Sequence, residues 1–224
     1  LADHFFVTEQ SGIDNLLEEG KKAADIYFVG NTMIDALVAY DQVIAENTIM
    51  TTLDVTERAF ALVTIHRPSN VDNKSALEQN IHLLQNIAIK YPVVFPVHPR
   101  TKNKLEQFQL LSLLTSNPNI RICEPLDYFA FQKLIASCKF IVTDSGGIQE
   151  EATFRKKPCI TIRPNTERPS TITLGTNTLV EADISKINQL ITDIEKHNYK
   201  EGNIPPLWDG KATARIFQVL DKLR

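Results

Sequence analysis

Short apolar runs and longer segments of helical spacing alternate along most of this chain. The apolar runs are rich in β-branched and aromatic residues and are bounded by turn-forming residues, which predicts buried strands. They lie at residues 60–65, 93–97, 120–123, 140–143 and 159–162. Helical spacing follows each run and predicts helices at 74–89, in a stretch ending at 114, and at 128–137, 148–154 and 184–196. Strand and helix alternating every roughly 25 residues is typical of βαβ units in a parallel sheet.

The beginning of the chain has a different organisation. The sequence lacks an initiator Met and runs almost directly into a strand-like segment, so we expect it to be cut out of something longer. We predict that residues 1–30 end a preceding α/β domain. Residues 31–210 should form a Rossmann-like, doubly wound parallel domain, and 211–224 a terminal helix. Within the main domain, the pattern predicts one helix at 32–45 and a short helix around 55–58.

Composition narrows the function classes. The net charge is −3 and the pI is near 6.0, which argues against electrostatic capture of nucleic acid. Cys123, Cys138 and Cys159 are scattered and have no metal-ligand spacing, so we expect no metal site and a reducing, cytoplasmic setting. No apolar run approaches transmembrane length, and we expect no membrane partner. The sequence contains neither a Gly-x-Gly-x-x-Gly dinucleotide fingerprint nor a Walker A motif.

A candidate anion site follows the apolar run at 140–143. Turn and cap residues come next, including Ser145, Gly146 and Gly147, and a helix-like segment begins at Ile148. Free backbone N–H groups at a helix start attract phosphate, and glycine allows close approach. An ordinary strand-to-helix turn, capped by Asp144 or Ser145, remains the alternative.

Cationic residues collect in the loops that follow the predicted strands. In a parallel sheet these loops meet at one edge, where ligands bind. They are His66, Arg67, His98, Arg100, Arg163 and Arg168. Because the chain as a whole is slightly acidic, this rim favours an anionic ligand such as a diphosphate.

Each of these side chains also has a structural alternative. A surface histidine with its hydrogen bonds satisfied is an equally good interpretation of His66. His98, which precedes Pro99, also fits a residue that simply ends a strand. Glu151 fits either a helix first turn or ribose hydroxyls, since a diphosphate would repel it. Arg168 pairs with phosphate or forms a salt bridge to Glu167 or Glu151. Phe131 belongs to the core or stacks on a base.

With these residues laid out, the sequence closely resembles the non-hydrolysing UDP-N-acetylglucosamine 2-epimerases. The most specific motifs are Asp-Ser-Gly-Gly-Ile-Gln-Glu-Glu at 144–151 and Thr-Glu-Arg-Pro at 166–169. Further matching segments lie at 8–9, 15–20, 29–37, 64–70, 96–99, 125–129, 175–177 and 209–212. The resemblance implies two Rossmann-like domains in the glycosyltransferase B-type arrangement, with UDP-sugar between them. This chain would be the carboxyl-terminal half, and its last helix would cross back onto the amino-terminal domain.

The resemblance also implies roles for individual residues. Ser145, Gly146 and Gly147 would hold the diphosphate, and Glu151 would bind the ribose hydroxyls. Arg168 would pair with phosphate. Phe131 would pack on the face of the uracil, and the backbone near Leu126 would contact its edge. His66 matches the family's active-site histidine. Arg67 and His98 match positions that touch a second, allosteric UDP-N-acetylglucosamine in bacterial relatives.

The implied reaction converts UDP-N-acetylglucosamine to UDP-N-acetylmannosamine by elimination and re-addition of UDP, without a cofactor. The family's acidic catalytic residues lie in the amino-terminal domain, so the resemblance predicts that this chain alone is inactive or nearly so. It further implies a homodimer for the full-length protein and a monomer for this portion. Two alternatives remain at this point: a glycosyltransferase of the same architecture, and a non-catalytic UDP-sugar binding module.

Overall fold

The computed structural model describes residues 2–181 and 183–223 and shows a parallel α/β architecture. Leu1 and Arg224, the ends of the first and last predicted units, and Ala182 lie outside the described residues. The strands are β1 Phe5–Val7, β2 Ile26–Phe28, β3 Ala61–Thr64, β4 Val93–Pro96, β5 Ile120–Cys123, β6 Phe140–Thr143, β7 Cys159–Ile162 and β8 Asn177–Val180.

Helices connect and cover these strands. They are α1 Gln10–Glu18, α2 Thr32–Ala39, α3 Asp41–Glu46, α4 Ile49–Thr52, α5 Pro68–Val71, α6 Lys74–Ala88, α7 Pro99–Gln107, α8 Leu111–Thr115, α9 Tyr128–Ser137, α10 Gly146–Phe154, α11 Pro169–Thr173, α12 Ile184–Glu195 and α13 Ala212–Lys222.

The main sheet has six parallel strands in the order β5-β4-β3-β6-β7-β8. The chain builds outward from β3 to β5, returns to place β6 beside β3, and then builds outward to β8. This order confirms the predicted Rossmann-like, doubly wound class. Its switch point lies between β3 and β6, which is where such sheets open a crevice for ligands.

Both faces of the sheet are buried, which explains the continuous apolar runs in the sequence. Every residue of β3, β4, β6 and β7 is buried. Alternate side chains of β3 enter different cores, because successive residues of a strand point to opposite faces. Ala61 and Val63 pack with α6 and α12, whereas Leu62 packs with α9 and α10.

The single helix predicted at 32–45 is wrong, because the structure has two helices that meet at Tyr40. This residue ends α2 and precedes α3 with φ −108° and ψ 15°, outside helical geometry. Its ring packs edge-on against Phe129, with ring centroids 5.3 Å apart. The break between the two helices thus coincides with a tertiary contact, which the local sequence pattern does not predict.

The short helix predicted around 55–58 is also wrong. Residues 55 and 56 have no regular structure and 57 and 58 lie in a turn. The nearby helix is α4, whose first N–H at Ile49 donates to the side chain of Asn47 at 2.9 Å. Asp54 and Arg58 adopt left-handed conformations, with φ 49° and 58°. Helical backbone cannot continue through such residues.

The first part of the chain forms its own two-stranded parallel sheet from β1 and β2. Hydrogen bonds connect it to the rest: Nε1 of Trp208 donates to the Thr8 carbonyl at 2.9 Å, and the Ser170 N–H donates to Glu9 at 3.0 Å. Gly30 joins the two parts at φ 88°, and a Cβ there would lie 2.1 Å from the Leu207 carbonyl oxygen. The assignment of residues 1–30 to another domain stays a prediction.

Helix α13 returns to α2 at the end of the chain. The carboxylate of Asp35 accepts from the N–H groups of Ala212 and Thr213, at 3.0 and 2.6 Å. Phe217 on this helix is 61% exposed. Within the described residues, no helix combines the length and apolar character that crossing a membrane requires.

Candidate functional site

Helix α10 begins at Gly146, directly after β6, so the predicted start at Ile148 was two residues late. Ser145 is the N-cap residue, and its side chain makes no capping hydrogen bond. Gly146 and Gly147 therefore form the first turn, whose N–H groups have no acceptor within the helix. Together with the helix dipole, they make a positive end suited to an anion.

Both glycines lie where a side chain would narrow the approach to that helix end. A Cβ on Gly146 would be 3.0 Å from Oε1 of Glu167, and a Cβ on Gly147 would be 3.2 Å from Cε of Met33. These separations are tighter than ordinary van der Waals contact. The glycines thus leave room at the first turn that alanine would fill.

Asp144 connects the ends of β3 and β6 at the switch point. Its carboxylate is completely buried and accepts from the backbone N–H groups of His66 and Arg67, at 2.9 and 2.8 Å, and from the Asn70 amide at 2.9 Å. Burial alone would raise the pKa of Asp144. The hydrogen bonds from His66, Asn70 and the backbone outweigh it, and the pKa lies below its usual value.

The same carboxylate orients His66. Oδ1 of Asp144 lies 3.0 Å from Nδ1 of His66, whose side chain is 32% exposed. With Nδ1–H donating to Asp144, the neutral imidazole keeps Nε2 as an acceptor, and the protonated form has Nε2–H as a donor. His66 can therefore exchange a proton through the ring nitrogen that Asp144 does not hold.

A cleft of about 200 Å³ opens beside this pair. Its lining includes His66, His98, Leu126, Phe131 and Ser145, all of which the sequence had singled out. The rings of His66 and His98 have centroids 5.1 Å apart. Nδ1 of His98 accepts from the Arg100 N–H at 3.1 Å and so caps α7. The structure thus brings the two histidines and the proposed base-binding residues into one space.

Arginines surround the entrance to the anion site. Glu167, which approaches Gly146, lies 2.8 Å from Nη2 of Arg163 and 3.7 Å from Nη2 of Arg67. Nε of Arg67 and Nη1 of Arg163 are buried and have no hydrogen-bond partner among the described residues. Unsatisfied guanidinium donors beside a positive helix end favour an anionic partner.

Arg168 has a different partner from either alternative considered in the sequence. Its Nε lies 3.2 Å from Oε1 of Glu150, rather than pairing with the carboxylate of Glu167 or Glu151. The same Glu150 oxygen accepts from the Asn31 amide at 2.9 Å. The side chain of Arg168 is 38% exposed. It therefore retains access to solvent and to a ligand.

Glu151 lies one turn along α10 from Ile148, which lines the cleft. Burial is the largest effect on this group and raises the pKa of Glu151 to about 7, although a hydrogen bond with Gln132 and the charge of Arg155 oppose it. The nearby charge of Glu150 raises it further. A carboxyl group with a pKa of about 7 can donate a hydrogen bond to a hydroxyl group or accept one from it. This is compatible with the predicted ribose contact.

The sequence did not single out several residues that the structure brings into the site. They are Asp144, Asn70 and Glu167, which lie in the quoted motifs but received no role in ligand binding, and Arg163 was recognised only as one of several rim cations. Asp144 follows β6 directly, at the switch point of a doubly wound sheet, and it opens the motif at 144–151, so its position and this motif were its sequence signals. The structure shows the positions of the predicted site residues, and their individual roles stay predictions.

Comparison with known proteins gives a consistent relationship. A family model described as UDP-N-acetylglucosamine 2-epimerase matches residues 1–221. A Methanocaldococcus jannaschii UDP-N-acetylglucosamine 2-epimerase is 36% identical over 98% of this chain and 61% of its own length. A Pseudomonas aeruginosa UDP-2,3-diacetamido-2,3-dideoxy-D-glucuronate 2-epimerase is 33% identical over 100% of this chain and 61% of its own length.

A solved structure extends the comparison to three dimensions. The M. jannaschii UDP-GlcNAc 2-epimerase in complex with UDP-GlcNAc and UDP has a TM-score of 0.87 with this chain, at 36% identity. The alignment covers 99% of this chain and 61% of that one, so the chain spans about three fifths of the relatives it matches. From its sequence, fold and family match, the chain belongs to the UDP-N-acetylglucosamine 2-epimerase family.

Proposed function

We propose that this chain supplies the UDP-binding part of a UDP-N-acetylglucosamine 2-epimerase. The observation that carries the proposal is the glycine-containing first turn of α10 beside the Asp144–His66 pair. An anion bound to the N–H groups of Gly146 and Gly147 lies at the same sheet edge as His66. Family membership supports this activity over the glycosyltransferase and the non-catalytic binding module.

The ligand can be oriented from the chemistry of the cleft. We place the diphosphate on Ser145, Gly146 and Gly147, where helix N–H groups and the nearby arginines favour negative charge. Phe131, which lines the cleft, then packs on the uracil near the backbone of Leu126. In this pose Glu151 binds the ribose hydroxyls, and Arg168 contacts a phosphate oxygen from its pair with Glu150.

The proposed reaction inverts C2 of the sugar through elimination and re-addition of UDP. Departure of UDP from C1 builds negative charge on the diphosphate, which the first turn of α10 and the arginines stabilise. Protonated His66 donates from Nε2 to the departing phosphate oxygen, while Asp144 holds the other side of the ring. UDP-N-acetylmannosamine is the product of this proposal.

Proton transfer at C2 needs acid and base groups that this cleft does not offer. Among the described residues lining it, the ionisable side chains are His66 and His98, and Asp144 behind them is committed to His66. We therefore propose that the C2 acid and base come from the amino-terminal domain of the whole enzyme. This chain alone then binds UDP and turns over UDP-N-acetylglucosamine slowly or not at all.

The same reasoning extends to domain organisation and assembly. We propose that residues 1–30 belong to the amino-terminal domain, that 31–210 form the UDP-binding domain, and that the helix within 211–224 crosses back to the first. We also propose a homodimer for the whole enzyme, a monomer for this chain, and a cytoplasmic, polysaccharide-precursor role. Light scattering of this chain tests its monomeric state.

Calorimetric titration of this chain with UDP tests the proposal directly. We expect saturable binding in about the micromolar to millimolar range, weakened by Arg168→Gln. Lys74→Gln, a neutralised exposed cation away from the cleft, should bind like the parent. No detectable binding would refute a competent UDP site in this domain. Near-normal turnover of UDP-N-acetylglucosamine by this chain would refute the separation of binding from C2 chemistry.

The P. aeruginosa relative provides a second candidate substrate with a different sugar and the same nucleotide. The proposed pose fixes only the UDP part of the ligand. Both UDP-sugars are therefore equally compatible with it. Turnover by the whole enzyme with each UDP-sugar separates the two. A preference of at least about tenfold for the diacetamido glucuronate would change the proposed substrate without changing the proposed UDP site.

A further inference from the structure

A second, larger cavity opens at the other edge of the sheet. It has a volume of about 590 Å³ and is lined by the cationic residues Arg58, Lys139, Lys156 and Lys157, and by His197 and Glu201. We call this space the amino-edge groove. Its cations come from three separate segments of the chain, so no local sequence motif predicts the groove.

The amino-edge groove is separate from the candidate UDP site. Lys139 directly precedes β6 and Lys157 lies just before β7, so the groove borders the amino ends of these strands. Ser145 follows the carboxyl end of β6. Helix α10 runs between the two regions, and its nine residues span about 13 Å. A ligand in the groove therefore cannot share the first turn of α10.

The positive charge of the groove is only partly compensated: Glu201 lines the groove, and the charges of Glu57 and Glu195 act on Lys157 and Lys139. Among the ion pairs of the described residues, none joins Arg58, Lys139, Lys156 or Lys157 to a carboxylate. Nζ of Lys157 donates to the Cys138 carbonyl at 3.3 Å, which leaves its charge in place. The groove therefore gathers four cations without a close ion pair, in a chain whose net charge is −3.

The cations at the groove have different surroundings. Arg155 also lines the space, but its guanidinium donates to Asp41 at 2.7 Å. Lys139 lies 5.1 Å from the ring of Tyr91, a contact that orients the ammonium without neutralising it. Burial is the largest effect on Lys157 and lowers its pKa, as expected for a half-buried ammonium without a paired carboxylate.

The backbone around the groove is also unusual. Arg58, Lys156 and His197 adopt left-handed conformations, with φ 58°, 52° and 58°. Lys156 and His197 directly follow the C-cap residues of α10 and α12. Glycine or asparagine is the common choice there, because other side chains are strained. Side chains with a cationic or titratable group occupy these positions at the groove instead.

A neighbouring cavity of about 260 Å³ extends the groove, since both share Lys156, His197 and Glu201 in their linings. It also includes Tyr199 and Thr176. Thr176 is 3% exposed, and its hydroxyl has no hydrogen-bond partner among the described residues. The extension provides space and a free hydroxyl for the uncharged part of a ligand.

We propose that the amino-edge groove binds a small phosphorylated molecule, with its phosphate among Arg58, Lys139, Lys156 and Lys157. Lysine ammonium groups bind phosphate as point charges, and several around one cavity suit a dianion better than a monoanion. The cavity volume lies within the usual range for small-molecule sites. The body of the ligand extends toward Thr176 and Tyr199.

Residue-resolved amide NMR of this chain, titrated with phenyl phosphate at constant ionic strength, tests the proposal. We expect saturable shifts at Lys156, Lys157 and His197 with a Kd of about 1 mM or tighter. Benzenesulfonate, a monoanion of similar shape, should bind at least about fivefold more weakly. Signals from Gly146 and Gly147 report the UDP site in the same spectra, so the two sites are read independently.

Matched variants separate a built site from general positive charge. Replacing Arg58, Lys139 and Lys156 together by Gln should weaken phenyl phosphate binding in the groove by at least about tenfold. Replacing the exposed Lys22, Lys74 and Lys186 by Gln removes the same charge and should change affinity less than about twofold. Arg168→Gln should leave the groove signals unchanged. If the triple groove variant does not fold, Arg58→Gln alone, at an exposed residue without an ion pair, should still weaken binding measurably.

Three results would overturn the proposal. One is a linear, unsaturated shift at the groove amides up to high phosphate concentration. Another is an equal loss of affinity in the groove variant and its charge-matched control. The third is a set of shifts confined to residues 145–147.

Discussion

Oδ1 of the buried Asp144 lies 3.0 Å from Nδ1 of His66, which is 78 residues away in the sequence. The same carboxylate holds the backbone N–H groups of His66 and Arg67 at the end of β3. A single side chain just after β6 therefore sets both the loop that follows β3 and the orientation of the His66 ring. This makes Asp144 a positioning residue for the site.

Asp144→Asn should disturb the His66 ring more than the sheet. Asparagine places an amide where the aspartate accepts several donors, so we expect a loss of about 2–4 kcal/mol in unfolding free energy. We also expect His66 to leave the Nδ1–H tautomer, since that form no longer has a carboxylate partner. Chemical denaturation measures the first effect, and ring ¹⁵N NMR measures the second.

The pH dependence provides a second readout for the same residue. Because the folded pKa of Asp144 lies below the unfolded value, its contribution is present above that unfolded value and is lost as pH falls through the folded pKa. The parent should therefore lose more stability than Asp144→Asn on acidification. An unchanged tautomer in the variant would contradict the positioning role.

Glu151→Gln should stabilise the ligand-free chain at alkaline pH. Burial raises the pKa of Glu151 to about 7, so the folded state favours the neutral form. Stability from this group is fully present below the unfolded pKa near 4.5 and is lost as pH rises through about 7. Glutamine mimics the neutral group, so we expect a gain of about 2–3 kcal/mol at pH about 8.5 and almost none at pH about 4.

Urea denaturation across that pH range measures the difference between parent and Glu151→Gln. Glu106→Gln, which alters a solvent-exposed carboxylate on α7, is the control and should give a nearly flat difference. A stabilisation that does not grow with pH would contradict the neutral state of Glu151.

Gly146→Ala and Gly147→Ala should separate ligand binding from stability. Alanine favours helix by about 1 kcal/mol over glycine, and the new Cβ meets the end of a flexible side chain at 3.0 or 3.2 Å. We expect unfolding free energy within about 1 kcal/mol of the parent but UDP affinity reduced about tenfold or more. Calorimetry and thermal melts distinguish these effects.

Gly12→Ala on α1 is a matched control, since its Cβ would meet Val7 at 3.3 Å, away from the cleft. Its UDP affinity should equal that of the parent. Equal affinity in the Gly146 and Gly147 variants would place the diphosphate elsewhere.

Glu167→Gln should strengthen UDP binding. In the ligand-free structure, this carboxylate lies near Gly146 and neutralises Arg163 and Arg67. A hydrogen bond with Arg163 holds the pKa of Glu167 below its usual value, so it is ionised at neutral pH and repels a diphosphate. We expect about threefold to tenfold tighter UDP binding at low salt, with the gain shrinking as salt rises.

Glu124→Gln removes an exposed carboxylate that pairs with Lys102 and is the control for net charge. It should change UDP affinity much less than Glu167→Gln. Weaker binding by the Glu167 variant would instead mean that Glu167 positions Arg163 and Arg67 for the ligand.

Local chemistry was sufficient to predict most elements of the fold. The apolar runs that became β3, β4, β6 and β7 are buried on both faces of the sheet, so their composition predicts them without tertiary information. The predicted helices were wrong where the backbone conformation changes beside contacts that the local pattern does not show. Tyr40 divides a helical pattern where it packs on Phe129, and the helix placed near residue 55 is displaced by left-handed residues and by the Asn47 cap.

By itself, the sequence determined the doubly wound class, the family, and the sheet edge where the ligand groups gather. Only the tertiary structure decided how those groups are paired. Asp144 holds His66, Arg168 lies beside Glu150, and Glu167 bridges Arg163 and Arg67. The physical reason is that strand and helix patterns depend on neighbouring residues. An ion pair depends on which strand ends become adjacent, and the chain's return to place β6 beside β3 sets that adjacency.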